Sequence, residues 1–261
     1  MALTEVRLPL RLDGRDFSLA AWQRETGSDE LLVCVHGLGC SKQTFADAWQ
    51  HDELRHWSLL AFDLPGFGRS PRPPDYSHDL AEQARLLQAV LDARASRRIV
   101  LLAHSMGGTL ALLQGQRALD RLTALILVEA RLLTASSTIS AEAARFDFEA
   151  FERTFLPAFR ARVALDPSQA FDLERADPTA FYRSAQSLGY WTRQTDLVAR
   201  FRQLSCPAWF IYGDRNAHLG ELAVLPPEQL LTVPAAAHFP MQDNPEAFYA
   251  RLGGLLQQLS G

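Results

Sequence analysis

The apolar positions of the chain fall into two rhythms. Short strand-like runs occur at 3–12, 16–22, 31–35, 57–62, 99–103, 122–128, 207–212 and 229–233. The first two alternate apolar and polar residues on either side of Asp13-Gly14, the pattern of an antiparallel pair joined by a tight turn. From residue 31 onward most runs are continuous. LLVCV, WSLLAF, IVLLA, LTALILV and PAWFIY leave no polar face, as strands covered on both sides require. Between them lie amphipathic stretches of helical period. Residues 78–93 place Leu80, Ala84, Leu87 and Leu91 on one helical face, 106–118 follows a strand directly, and 245–259 closes the chain. Strands alternating with helices predict an α/β fold with an eight-stranded, mostly parallel sheet flanked by helices.

One stretch breaks the alternation. Residues 131–204 hold no strand-like run but several helical ones, such as SAEAARFDFEAFERTFLPAFRARVAL, with breaks expected at Pro157, Pro167 and Pro178. Roughly seventy residues are too many for a connecting loop. The expected organisation is a core of 1–130 and 205–261 with a helical cap, 131–204, inserted after the sixth strand. Ten aromatic residues lie between Phe146 and Trp191. Most are expected to pack the cap onto the core, and a few to line an apolar pocket beneath it.

Composition narrows the function by exclusion. The 26 basic and 30 acidic residues are spread evenly, for a net charge of −4, with no basic run or acidic tail. That argues against partners of nucleic-acid or membrane-surface type. Lys42 is the only lysine. Cys34, Cys40 and Cys206 have no CxxC spacing and are odd in number, so a reduced, cytoplasmic protein without disulfides is expected. The N-terminal MALTEVRLPLRLDGRDF lacks a basic n-region and a long apolar core, so no signal peptide is expected. No run reaches the roughly 18 apolar residues of a membrane span.

Chemistry concentrates in IVLLAHSMGGTLALL, residues 99–113. A buried strand runs into Ala103-His104-Ser105-Met106-Gly107-Gly108 and then directly into a helix. This is the setting of a nucleophile elbow, usually GxSxG, in which small flanking residues let a serine occupy a strained turn at the head of a helix. Ala103 stands in place of the first Gly. With these residues the chain resembles the α/β-hydrolase superfamily, and the resemblance extends over three further blocks: VCVHGLGCS (33–41), LLAFDLPGFGRS (59–70) and VPAAAHFPMQDNPEAF (233–248). It implies a serine nucleophile, Ser105, with His238 as its base. It also implies an oxyanion hole formed by the backbone N–H groups of Leu38 and Met106. His36 is expected to hold the oxyanion loop in shape, His104 to pack beside the nucleophile, Asp63 to be structural, and His51, His56 and His78 to face solvent.

The third member of the apparatus departs from the pattern. Where the family keeps an acid, after the strand ending in Tyr212-Gly213, the chain has Asn216. Three readings stay open. Glu129, at the end of the sixth strand in LILVEAR, matches a position from which some superfamily members draw their acid. Asp214 lies in the usual loop, two residues early. Or the site has no acid, with Asn216 in its place. Glu129 is the first choice, because adjacent parallel strands bring their carboxyl ends together.

No His/Asp/Glu grouping has metal-ligand spacing, and no glycine run sits in a dinucleotide-binding context, so neither metal nor cofactor is expected. The expected protein is a monomeric or dimeric serine hydrolase for a small, rather apolar carboxylic ester. Thioester or carbon–carbon bond hydrolysis uses the same apparatus. A non-catalytic protein that binds a small molecule on this fold is the alternative of another class.

Overall fold

The computed structural model describes residues 3–96, 98–134, 138–165 and 171–259. Eight strands form one sheet: β1 (Glu5–Leu12), β2 (Arg15–Arg24), β3 (Glu30–Val35), β4 (Ser58–Phe62), β5 (Arg98–His104), β6 (Leu122–Val128), β7 (Ala208–Gly213) and β8 (Leu230–Val233). Their order is β1-β2-β4-β3-β5-β6-β7-β8. The β1–β2 and β2–β4 pairs are antiparallel and all others parallel. The hairpin turns through Asp13 and Gly14, both at positive φ, as a tight turn matched to the strand twist requires.

The unbroken apolar runs follow from cover on both faces. Successive residues of a strand point to opposite sides, so Val33 and Leu101 enter one buried cluster while Leu32 and Val100 enter the other. The first cluster is closed by helix α1 (Leu80–Asp92), whose Leu80, Ala84, Leu87 and Leu91 are fully covered, and by α2 (Met106–Leu113). Asp79 starts α1 by accepting from the Ala81 N–H at 2.8 Å. The helix expected over 106–118 stops at Leu113, because Gln114 turns extended (ψ 156°) before a short turn at Gln116–Leu119.

Between β6 and β7 the described chain is helical. It comprises α3 (Thr138–Ala143), a run from Phe148 to Ala164, α4 (Pro178–Gln194) and α5 (Leu197–Arg202). The last of these lies against α2, where the Arg200 guanidinium donates to the Leu112 carbonyl at 2.8 Å. Pro157 does not break its helix. The turn Phe151–Phe155 is widened to π geometry, and the Leu156 N–H reaches back five residues to the Phe151 carbonyl. Such a widened turn accommodates a residue that has no N–H to give. Pro178 starts α4 instead of interrupting one, with Asp177 as N-cap. Pro167 lies outside the described residues. Phe151, Phe159 and Phe181 are fully buried against one another, whereas Tyr190 is exposed.

The final helix, α6 (Pro245–Leu259), covers the second face through Phe248, Leu252 and Leu256. Two histidines expected at the surface are covered. His51 stacks on Tyr249 of α6 with ring centroids 4.4 Å apart. His78 is completely buried at positive φ, close to Gly66 and edge-on to Tyr76. His56 is exposed as expected. Among the described residues no helix is long and apolar enough to cross a membrane, and no group of three or more His, Cys, Asp or Glu residues could hold a metal.

Candidate active site

Parallel strands end together, so β3, β5, β6 and β7 deliver residues 36–38, Ser105, Glu129 and the 213–216 turn to one edge of the sheet. Ser105 stands between β5 and α2 at φ 51°, ψ −117°, a conformation costly for any residue with a Cβ. Its surroundings hold it there. The Ser105 N–H donates to the Val128 carbonyl at 2.9 Å, and its own carbonyl accepts from Gly108 at 3.0 Å. Close packing explains the glycines that follow. A Cβ on Gly107 would lie 2.6 Å from the Val35 carbonyl oxygen, and one on Gly108 would lie 2.5 Å from Ala130 Cβ. Ala103, in contrast, sits within β5 opposite Val35 and Leu127, where its methyl group is simply buried.

The loop after β3 presses on the serine. A Cβ on Gly37 would come within 2.9 Å of Ser105 Cβ, so Leu38 is brought to the edge of the cavity in front of Ser105. The Met106 N–H is the first of α2 and has no acceptor within the helix. His36 ties this loop to β4. Its Nδ1 bonds the Gly37 carbonyl at 2.8 Å and its Nε2 accepts from the Leu64 N–H at 3.0 Å. Behind it the buried Lys42 ammonium pairs with Asp63 at 2.6 Å.

His238 arrives on the loop after β8, with Nε2 3.2 Å from Ser105 Oγ. Three anchors hold that loop. The Asp214 carboxylate accepts from the Ala235 and Ala236 N–H groups, Asp243 accepts from Ala237, and the His104 ring bonds the His238 carbonyl at 2.8 Å. Asp214 is therefore a surface anchor of the histidine loop, and its carboxylate is committed to backbone donors. Those same N–H bonds, the one from Ala235 foremost, hold its carboxyl below the usual aspartate range.

Glu129 is the carboxylate behind the histidine. It ends β6 at φ 48°, fully buried, with Oε2 3.5 Å from His238 Nδ1. Asn216 is its partner: the Asn216 amide donates to Oε2 at 3.0 Å, and the Gly213 N–H donates to Oε1 at 2.9 Å. The two positions from which an acid could come thus meet, one carrying the charge and the other a donor that serves it. Burial raises the Glu129 carboxyl above the usual glutamate value, opposed by the Gly213 N–H, the Arg131 charge and the Asn216 amide.

The sequence reading missed Arg131. Its Nη2 lies 2.9 Å from His238 Nδ1, closer than Glu129. The only signal in the chain was an arginine two residues past the candidate acid. Burial first, and the neighbouring Arg131 second, push the His238 imidazole well below its ordinary value. Ser105, His238 and Arg131 open onto a narrow cavity of about 30 Å³ whose apolar wall is Leu38, Ile139, Phe171 and Leu188. Among the described residues, Phe171 is the one of the ten aromatic residues from Phe146 to Trp191 that lines this slot.

Comparison with known proteins agrees with this architecture. The solved structure of the N-acyl homoserine lactonase AidH complexed with N-butanoyl homoserine superposes with a TM-score of 0.76 at 17% identity, covering 99% of this chain and 97% of that one. The 2-succinyl-6-hydroxy-2,4-cyclohexadiene-1-carboxylate synthase of Pectobacterium atrosepticum is 28% identical over 85% of this chain and 91% of its own length. The mesoderm-specific transcript homolog protein of Bos taurus is 36% identical over 87 residues, 33% of this chain, and the match spans only 26% of that protein. The alpha/beta hydrolase family matches residues 32–251, and with strand order, elbow and histidine loop arranged as described, the chain belongs to that family.

Proposed function

We propose that the protein is a serine hydrolase that cleaves a small, rather apolar carboxylic ester through an acyl-enzyme intermediate. The observation that carries this reading is the Ser105 Oγ to His238 Nε2 distance of 3.2 Å, at the mouth of an apolar slot, with Glu129 behind the ring. A serine hydroxyl attacks a carbonyl only as a base removes its proton, and the closeness of His238 Nε2 to Ser105 Oγ supports that role for His238. Oγ bonds to the carbonyl carbon, and the carbonyl electron pair moves to oxygen opposite the N–H groups of Leu38 and Met106. Loss of one such donor typically costs about 3 to 4 kcal/mol of transition-state stabilisation. His238 then protonates the departing alcohol, and water repeats the sequence to release the acid.

A fluorophosphonate probe together with a panel of short-chain para-nitrophenyl esters and thioesters tests the proposal. Covalent labelling at Ser105 and ester turnover are expected. An unlabelled Ser105 and an inert panel would leave a ligand-binding protein on a hydrolase fold.

The pH profile follows from the state of His238. The neutral ring is the active base, so activity is lost as pH falls through its pKa. Burial lowers that pKa, so the acidic limb of kcat/KM on a neutral ester falls below the free-histidine value of about 6.5. A midpoint above 7 or so would be inconsistent with a buried base.

A further inference from the structure

Arg131 occupies the nitrogen that Glu129 needs. A guanidinium has donors only, so His238 Nδ1, 2.9 Å from Arg131 Nη2, must present its lone pair, which leaves the ring proton on Nε2 facing Ser105. In that tautomer the imidazole cannot accept the serine proton. The free site thus rests one proton position away from the arrangement that hydrolysis requires. The backbone at Arg131 is pinned, its carbonyl accepting from Thr109 Oγ1 at 3.0 Å while the Leu132 and Leu133 N–H groups bond Glu221. The side chain that rises from this fixed point borders the cavity. There it is the one cationic side chain beside Ser105, Ser140 and His238, facing the apolar wall of Leu38, Ile139, Phe171 and Leu188, a setting in which one anion on an apolar chain is the complementary ligand.

We propose that Arg131 is a substrate-operated latch. It holds His238 idle in the free enzyme and swings onto the carboxylate of a monoanionic acyl ester, leaving Nδ1 to Glu129. The ring stays neutral in the exchange: one proton leaves Nε2 and one arrives at Nδ1, relayed by water. The free energy for the change is the difference between a guanidinium on a neutral nitrogen, in the field of Glu129 and Glu221, and one on a substrate carboxylate. Arg131 is thereby a positioning and specificity residue, and the substrate class narrows to esters of dicarboxylic acids. The inference rests on the serine-hydrolase reading.

The test compares para-nitrophenyl valerate with para-nitrophenyl hydrogen glutarate, equal in chain length and different by one charge, on the wild-type protein and on Arg131→Met and Arg131→Lys. The wild type is expected to favour the glutarate by at least about tenfold in kcat/KM. Arg131→Met raises KM for the glutarate by about tenfold or more, speeds the valerate, and moves the acidic limb to higher pH. The limb moves because, of the charged and titratable groups around His238, namely Glu129, Arg131 and His104, a cation has been removed. Arg131→Lys keeps part of the preference for the glutarate. Equal or better turnover of the valerate by the wild type overturns the latch, a result that does not depend on any variant folding. An unchanged substrate ratio and pH limb in Arg131→Met overturn it as well, provided fluorophosphonate labelling persists. Absence of labelling in both the wild type and Arg131→Met, whose His238 Nδ1 no longer faces a guanidinium, would instead remove the hydrolase reading on which the latch depends.

Discussion

Gly213→Ala is expected to lower kcat/KM by about a hundredfold and to destabilise the fold by about 1–3 kcal/mol. The backbone dihedrals of Gly213 suit any residue, so the demand for glycine is purely steric. A Cβ there would lie 2.3 Å from the Ala236 carbonyl oxygen and 2.6 Å from that of Ala237. Both belong to the loop that carries His238. The same residue gives its N–H to Glu129 Oε1 at 2.9 Å. One added methyl group therefore pushes the base away from Ser105 and disturbs the acid behind it. A displacement of about 1 Å in such a constellation costs on the order of a hundredfold in rate. Steady-state kinetics together with thermal unfolding separate the two effects, because overpacking alone would lower the melting temperature and leave kcat/KM of the folded fraction intact.

Glu129→Gln is the second large effect, a loss of at least about two orders of magnitude in kcat. With the amide oxygen retained on the Gly213 N–H, the new NH₂ group faces both the Asn216 amide and His238 Nδ1. Donors then surround Nδ1, and the ring is held with its lone pair on the wrong nitrogen. In serine proteases the corresponding acid-to-amide change costs about four orders of magnitude. The smaller figure expected as a minimum here reflects the longer 3.5 Å contact and the claim Arg131 already makes on that nitrogen. Because the substitution leaves the buried Arg131 guanidinium without the Glu129 carboxylate, thermal unfolding measured beside kcat separates the catalytic loss from the cost to the fold.

The sheet was legible because each parallel strand is covered on both faces, which forces continuous apolar runs such as LTALILV. The elbow was legible because Gly107 and Gly108 meet atoms that admit no side chain. Asn216 was legible only as a departure. Whether Glu129 could take over depends on its positive φ and on the meeting of two strand ends, neither of which has a local signature. Arg131 left still less trace. The direction of one long side chain is decided by what packs around it, and an arginine beside an acid reads the same whether it faces solvent or the histidine. Pro157 misled for a related reason: proline ends an isolated helix, but a packed one can widen by a residue and continue. His78 and His51 show that a loop histidine can be covered by elements remote in sequence.

The central claim is that the charge behind His238 comes from β6, with Asn216 serving it, and not from the turn after β7. Measuring kcat for Glu129→Gln beside Asp214→Asn, on one ester at one pH, tests it most directly. The expected result is a drop of about a hundredfold or more for Glu129→Gln and a change within about threefold for Asp214→Asn, whose carbonyl still accepts a loop N–H. The reverse order, or wild-type kcat in both, would contradict the account.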